Sequence, residues 1–414
     1  MKTGRITIWL IVSAVAVMLA LPASSMAEGK VYKTALSLAI TGPTSDAGNP
    51  YSKGTEDYFK YVNDMDLLGE DEIECKIRDD KYETDITKRN FEEFMDWGID
   101  FYLNYSTGST LALKRDFEEL EMPTLPASYH ARNVEDSDYL FLPITSYAAQ
   151  NIGLAEYVVK NHEGGTPKIA WFVHPSAFGR DPVEDVKVAI EEGLDIEIVE
   201  TVEHGEDLDV TGILQRWRSK GVQYVICQTV QSPVATLLKG ASNLGMIADS
   251  FGEEGKFTFM GAHYTGGNDL VSLAGDAAEN FYWSTSFITT SEPSAGADMQ
   301  LELAEKYGRS EKTANSHNYA AGIIVAEITT EVIKRAKARG KEINKENLYQ
   351  ELLDMNGMNA FYSAMAVGPV TYSEDDHQGV DTQQLYRVED GEFRAVGKPF
   401  ISEYGEMVMR DIMK

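Results

Sequence analysis

The chain has 414 residues, enough for two or three domains with sizeable cores. Its 66 acidic residues outnumber 37 basic ones and give a net charge of −29, which opposes nucleic acid and anionic lipid as partners. That charge still permits a local anion site, because a helix N-terminus supplies positive potential without basic side chains.

Residues 1–27 read as a cleavable export leader. Lys2 and Arg5 form its basic start, Ile6–Leu21 its apolar core and Ser25-Met26-Ala27 a small-x-small cleavage site. The apolar run is short and broken by Thr7 and Ser13, which disfavours a retained anchor. No Cys follows it, so a lipid anchor of the bacterial type is not indicated, and no later segment is long and apolar enough to span a membrane. The mature chain, at −31 once Lys2 and Arg5 are removed, is expected in the periplasm with no direct membrane insertion. Its two cysteines, Cys75 and Cys227, sit in apolar strand-like runs and are expected as buried thiols rather than a bridge.

A strand pattern over Val31–Ile40 ends in the turn Thr41-Gly42-Pro43, and helical spacing covers Tyr51–Met65. Ile73–Asp79 is the next strand and Thr84–Asp96 the next helix. Then comes the stretch Phe101–Thr110. Its aromatic and aliphatic start reads as a buried strand, its Ser, Thr and Gly as the entry to a helix running to Leu120. Small hydroxyls at such a junction serve either an anion site or a simple helix cap, and both readings stand. A short strand follows at Thr124-Leu125.

A second alternating series starts after Pro143. Helices are expected at Tyr147–Lys160, Arg180–Glu192, Ile213–Lys220 and Pro233–Leu244. Strands are expected at Lys168–Val173, Ile196–Glu200, Tyr224–Cys227 and Phe257–Met260. Two such series predict an α/β fold of two doubly wound parallel-sheet lobes rather than one sheet. Asn280–Thr285 is strand-like, and helices are predicted at Met299–Tyr307, Tyr319–Ala338 and Lys345–Leu353. The last 45 or so residues read as β-ribbon, with strands at Val370–Tyr372, Gln384–Val388 and Glu392–Arg394 and a hairpin turn at Asp390-Gly391.

The motifs and their order resemble one known family. Leu36–Pro43 with Gly48 and Gly54, Arg78-Asp79-Asp80, Tyr105–Ser109, Pro126–Tyr129, Ser176–Asp181, Gly368–Tyr372 and Asp376–Gly379 carry the likeness. The chain resembles the type I periplasmic solute-binding proteins of ABC transporters, of the branched-chain amino acid (Leu/Ile/Val) class, over nearly the whole mature length. The resemblance implies two lobes joined by three crossovers, residues 28–146 with 285–364 and 147–284 with 365–414, and a ligand cleft between them. It implies a small-molecule ligand, permease subunits of an ABC importer as partners, no cofactor, no metal and a monomer. Carried over by position, Ser106, Thr107, Ala127 and Ser128 bind a ligand carboxylate, and Tyr105 and Tyr129 wall the pocket. Phe178 stands where the family often has Tyr. Thr229 lies in a loop facing the cleft, and Tyr147 opens a helix at the crossover.

The largest departure is Gly261-Ala262-His263-Tyr264. Amino-acid binders of the family place an acid there to pair with the ligand ammonium, and an imidazole does not replace it. The expected ligand is therefore a small carboxylate without an α-ammonium, with His263 donating a hydrogen bond and Tyr264 adding flat surface. A branched-chain amino acid or amide is the alternative. A ligand-sensing partner of a membrane receptor is another. An enzyme is disfavoured, because no G-x-S-x-G, P-loop, H-E-x-x-H or G-x-G-x-x-G motif occurs and the seven histidines lack metal-ligand spacing.

Overall fold

Strands that are apolar on both faces fold into parallel sheets only if helices cover both sides, and the chain alternates accordingly. The structure, a computed structural model, describes residues 29–205 and 208–414; the leader read at 1–27 lies outside them. The first unit runs β1 (Val31–Leu38), α1 (Ser45–Asp64), β2 (Glu72–Asp79), α2 (Thr84–Trp97), β3 (Phe101–Asn104), α3 (Thr107–Glu119) and β4 (Thr124–Pro126). Its four parallel strands lie in the order β2-β1-β3-β4, with Leu36 between Ile77 and Leu103.

The second unit runs α4 (Tyr147–Asn161), β5 (Lys168–Val173), α5 (Ala177–Glu191), β6 (Glu197–Glu203), α6 (Val210–Lys220), β7 (Tyr224–Gln228), α7 (Gln231–Asn243), β8 (Thr258–Gly261), α8 (Asn268–Ala274) and β9 (Tyr282–Thr285). After α9 (Ala295–Lys306), α10 (Glu311–Ala314), α11 (His317–Ala338) and α12 (Lys345–Leu353) the chain returns through β10 (Gln383–Glu389), β11 (Glu392–Phe400) and α13 (Glu403–Ile412). The second sheet has the order β11-β10-β9-β8-β7-β5-β6, parallel from β9 to β6 and antiparallel at β10 and β11.

The late helices rejoin the first core. α11 is buried on most of its circumference and crosses α1 at two glycines. A Cβ on Gly54 would lie 2.0 Å from the Tyr319 carbonyl oxygen, and one on Gly322 would lie 2.0 Å from that of Tyr51. Only glycine allows this approach, and it fixes the N-terminal half of α1 beside the cavity described below. The two cysteines occupy different sheets and are free thiols.

Two expectations change. Val370–Tyr372 is not a strand. Val370 makes one bridge to Phe361, and Val370 and Tyr372 are buried in the first core with Phe141. Met365 and Val380 share that core. The C-terminus is not all ribbon either. Ser402 accepts a hydrogen bond from the Gly405 N–H at 2.9 Å and caps α13, which buries Gly405, Val408 and Met409. Helical spacing and a Ser cap were both present in that segment.

Candidate ligand cavity between the lobes

Open parallel sheets bind ligands outside the carboxyl ends of their strands. Residues just beyond β3, β4, β5, β7 and β8 meet here around a small cavity of about 20 Å³, partly open to solvent and well below the ~300–1,000 Å³ typical of ligand pockets. Eleven residues line it: Thr44, Tyr82, Tyr105, Ser106, Thr107, Ala127, Ser128, Tyr147, Phe178, Val230 and Tyr264.

The first-lobe wall is polar apart from the rings of Tyr82 and Tyr105. β3 stops at Asn104, whose Nδ2 donates to Ser109 Oγ and Thr110 Oγ1 at 3.2 and 2.9 Å and so ties strand to helix. Ser106 caps α3, its Oγ accepting from the Ser109 N–H at 3.2 Å, and it also faces the cavity. The two readings of that junction are thus compatible in one residue. Thr107 Oγ1 lies 2.7 Å from Ser128 Oγ, and Asn133 Nδ2 holds the Ser128 carbonyl at 2.8 Å. Short hydroxyls and the unpaired first-turn N–H groups of a helix give an anion several donors at close range.

The second-lobe wall is aromatic. Tyr147, Phe178 and Tyr264 meet pairwise in steep edge-type contacts, at 62°, 61° and 79° with centroids 5.2, 6.3 and 6.0 Å apart. Both phenols donate to the Ala127 carbonyl, Tyr147 at 3.3 Å and Tyr264 at 2.7 Å. Tyr105 donates to the Thr44 carbonyl at 3.1 Å. Burial raises all three phenols well above their usual range, so they stay neutral donors.

Tyr129, Thr229 and His263 do not line the cavity. Tyr129 is fully buried and stacks under Tyr264 at 5.7 Å and 7°. Thr229 Oγ1 pairs with His204 Nε2 at 2.8 Å. His263 is fully buried. Its Nδ1 lies 2.9 Å from Thr285 Oγ1, and its ring packs among Tyr129, Tyr264, Phe287 and His317. Burial drives that imidazole far below its usual range, so it is neutral. His263 thus lies outside the cavity lining, with its Nε2 buried and without a hydrogen-bond partner.

Thr44, Tyr82 and Val230 complete the lining; Val230 lies in the 229–232 loop expected to face the cleft, whereas Thr44 and Tyr82 were not singled out from the sequence. Thr44 follows the Gly42-Pro43 turn, and Val230 belongs to the loop after β7. Tyr82 is placed by backbone strain. Lys81 and Tyr82 both take positive φ, 56° and 66°, and the Asp79 and Asp80 carboxylates accept their N–H groups at 3.1 and 2.9 Å.

The lobes touch across the cavity. Ser232 Oγ donates to Asp46 Oδ2 at 2.8 Å, and Ser316 Oγ to Asp269 Oδ2 at 2.6 Å. Among the described residues no lining side chain carries a charge, no helix is long and apolar enough to cross a membrane, and no group of three or more His, Cys, Asp or Glu is placed to hold a metal.

A sequence profile described as periplasmic binding protein matches residues 32–392. The chain belongs to the periplasmic binding protein family. Its fold is that of the type I members. A crystal structure of a branched-chain amino acid ABC transporter protein from Thermus thermophilus with bound valine is 42% identical, with a TM-score of 0.86 over 92% of this chain and 99% of that one. An ABC transporter substrate-binding protein from Aeropyrum pernix shares the fold at 20% identity and a TM-score of 0.78, over 92% and 99% of the two chains. A Leu-, Ile-, Val-, Thr- and Ala-binding protein from Pseudomonas aeruginosa is 22% identical over 259 residues, 62% of this chain and 66% of that protein, just under two thirds of its length.

Proposed function

We propose that this periplasmic binding protein is a receptor, not an enzyme, that captures a small carboxylate between its lobes and delivers it to the membrane subunits of an ABC importer. The carrying observation is the lining itself: short hydroxyls at the start of α3, aromatic rings from both sides and most of all from the second lobe, and no charged residue. The carboxylate lies against Ser106, Thr107 and Ser128. The rest of the ligand lies against Tyr147, Phe178 and Tyr264. The protein acts as a periplasmic monomer once residues 1–27 are removed, with residues 28–146 and about 285–380 as lobe one and the remainder as lobe two. The lobes close on ligand by a hinge.

A second reading is a branched-chain amino acid receptor. The 42% identity to a Thermus thermophilus protein described with bound valine favours it. Mass spectrometry of small molecules released by mild denaturation, then calorimetry, separates the two. Benzoate-type and branched keto acids are compared with leucine, valine and isoleucine. Tight binding of the amino acids alone returns the protein to the branched-chain class.

A further inference from the structure

Along one flank of the cavity the two lobes are joined by charged side chains. The segment after β4 belongs to the first lobe and α5 to the second. Ser128 and Phe178 face the cavity from these two elements. Beyond them the same elements stay in contact. His130 Nε2 lies 2.9 Å from Asp181 Oδ2, and Arg132 Nη2 donates to Asp185 Oδ1 at 2.8 Å. Phe178, Asp181 and Asp185 are three and four residues apart, on one face of α5. They meet Ser128, His130 and Arg132, alternate residues of the facing segment.

Both bonds are held in place from behind. His130 Nδ1 accepts the Arg132 main-chain N–H at 2.9 Å. The ring proton therefore sits on Nε2 and is donated to Asp181 without the imidazole carrying a charge. His130 is buried, and the Asp185 side chain is only 3% exposed. Burial raises the Asp185 carboxyl, and the Arg132 charge works against that rise. Charge-assisted bonds of this kind are roughly twice as strong as neutral ones. None of the four residues lines the cavity, whose walls leave about 20 Å³ between them. Their reach across the lobes thus runs beside the ligand space and not through it. The interlobe bonds from Ser232 to Asp46 and from Ser316 to Asp269 carry no such cation.

We infer that His130–Asp181 and Arg132–Asp185 form a clasp that closes the lobes without ligand, so that the free receptor is already closed for part of the time. A ligand then has less of the closure left to drive. This rests on the hinge reading above and names what biases the hinge.

The test is single-molecule fluorescence transfer on mature protein stripped of co-purified molecules by mild denaturation and refolding. Dyes sit on Glu92→Cys and Gln215→Cys, exposed on α2 and α6, in a Cys75→Ala, Cys227→Ala parent. The parent should show closed and open populations. Asp185→Asn should raise the open-to-closed ratio by about tenfold or more, because it strips the partner from a covered guanidinium. Asp181→Ala, at a partly exposed helix position that suits alanine, should raise it by about threefold or more. Glu203→Gln also removes one negative charge beside α5, but its partner Arg180 lies in the same lobe, so the ratio should not move. Thermal melting checks that Asp185→Asn is folded; if it is not, Asp181→Ala decides. A parent that is wholly open overturns the clasp. So does a ratio that ignores Asp181→Ala, or that follows Glu203→Gln as closely, and the hinge then stands. If every protein shows the same closed distance, the lobes do not part and the hinge reading falls as well.

Discussion

The two walls of the cavity are held in place by different forces. The first-lobe wall is a hydrogen-bond lattice in which nearly every donor and acceptor has a structural partner: Ser106 with Ser109, Thr107 with Ser128, Ser128 with Asn133. The second-lobe wall is a stack of rings, and its few hydrogen bonds, from Tyr147 and Tyr264, cross to the first lobe. A hydroxyl lattice tolerates small shifts badly but loses little volume when one atom is deleted. A ring wall loses volume, stacking and an interlobe contact with a single side chain. Truncation should therefore hurt the ring wall most.

Tyr264→Ala gives the largest effect. It removes a buried ring stacked on Tyr129, together with the bond to the Ala127 carbonyl. Buried aromatic-to-Ala changes cost about 3–5 kcal/mol. Thermal unfolding should show that loss as a lower melting point, and calorimetry an affinity reduced by about thirtyfold or more, the ~2 kcal/mol or more of a truncated aromatic contact at a binding site. Tyr264→Phe loses only the phenol bond and should cost about 1 kcal/mol. Equal losses in the two variants would mean that the wall acts through its hydroxyls, and the contrast between the walls would fail.

The same contrast decides what could be read from the sequence. Ser106, Thr107, Ala127 and Ser128 follow the ends of two neighbouring strands, so short local motifs reveal them. The alternation of strands and helices is equally local, and it gave both sheets. Tyr147, Phe178 and Tyr264 come from three separate elements and are adjacent only in the folded chain; the family likeness, not spacing, pointed to them. His263 shows the opposite error. Its place in the loop after β8 was readable, but the side of that loop it occupies was not, because it depends on Gln150, whose side-chain oxygen accepts the His263 main-chain N–H at 2.8 Å from a distant helix. Tyr82 depends on two consecutive positive φ angles, for which no glycine gave notice. At the C-terminus the hairpin at Asp390-Gly391 was legible, while the helix after Ser402 was hidden by extending the ribbon too far.

On the polar wall, Ser106→Ala should reduce affinity by about 1.5–3 kcal/mol, the range for hydrogen bonds to charged groups. Because Ser106 also caps α3, the ligand-free protein should lose about 1 kcal/mol as well. Ser106→Asp separates the two roles. Aspartate is as good a cap, so melting should be preserved, while its charge repels a carboxylate and should abolish binding. Retained binding in Ser106→Asp would remove the anion from this wall.

The ring wall has titratable groups behind it, and this gives a smaller effect. His174 is packed against Tyr82, Phe178 and His204, with Ser176 Oγ 2.8 Å from Nδ1 and Arg180 nearby. Burial, with His204 and Arg180 adding to it, lowers its pKa from 6.5 to about 4. If parting the lobes frees His174 from Tyr82, the open form takes up a proton below pH 6.5 and the closed form does not until about pH 4. Affinity should be flat above pH 6.5 and fall below it, by about tenfold at one unit lower. Asp269 opposes this trend. Burial raises it to about 6, so closure that buries it is favoured as pH drops through that value. The readout is therefore the difference between wild type and His174→Gln, which should lose the acid-side decline assigned to His174. Identical pH profiles would exclude it as the titrating group.

The smallest effect on affinity is expected at His263, one layer behind the rings. Its imidazole has one side-chain partner, Thr285, its main-chain N–H is bound by Gln150, and its carbonyl accepts from Trp283 Nε1 at 2.8 Å. Tyr264 and Tyr129 lie on the ring at 4.5 and 5.2 Å, and burial keeps it uncharged. A group so placed is expected to support the ring wall rather than to contact the ligand. His263→Gln gives up the ring packing and strains the bond to Thr285, so melting should fall by about 1–3 kcal/mol, the cost of disturbing a buried polar contact. The main-chain bonds that shape the loop survive, Tyr264 keeps its bond to Ala127, and affinity should change by less than about threefold, well under 1 kcal/mol. A loss of thirtyfold or more in a protein that still melts cooperatively would put the imidazole in contact with the ligand. It would then be the second wall, not the first, that supplies the polar recognition, and the division between hydroxyl lattice and ring stack would have to be redrawn.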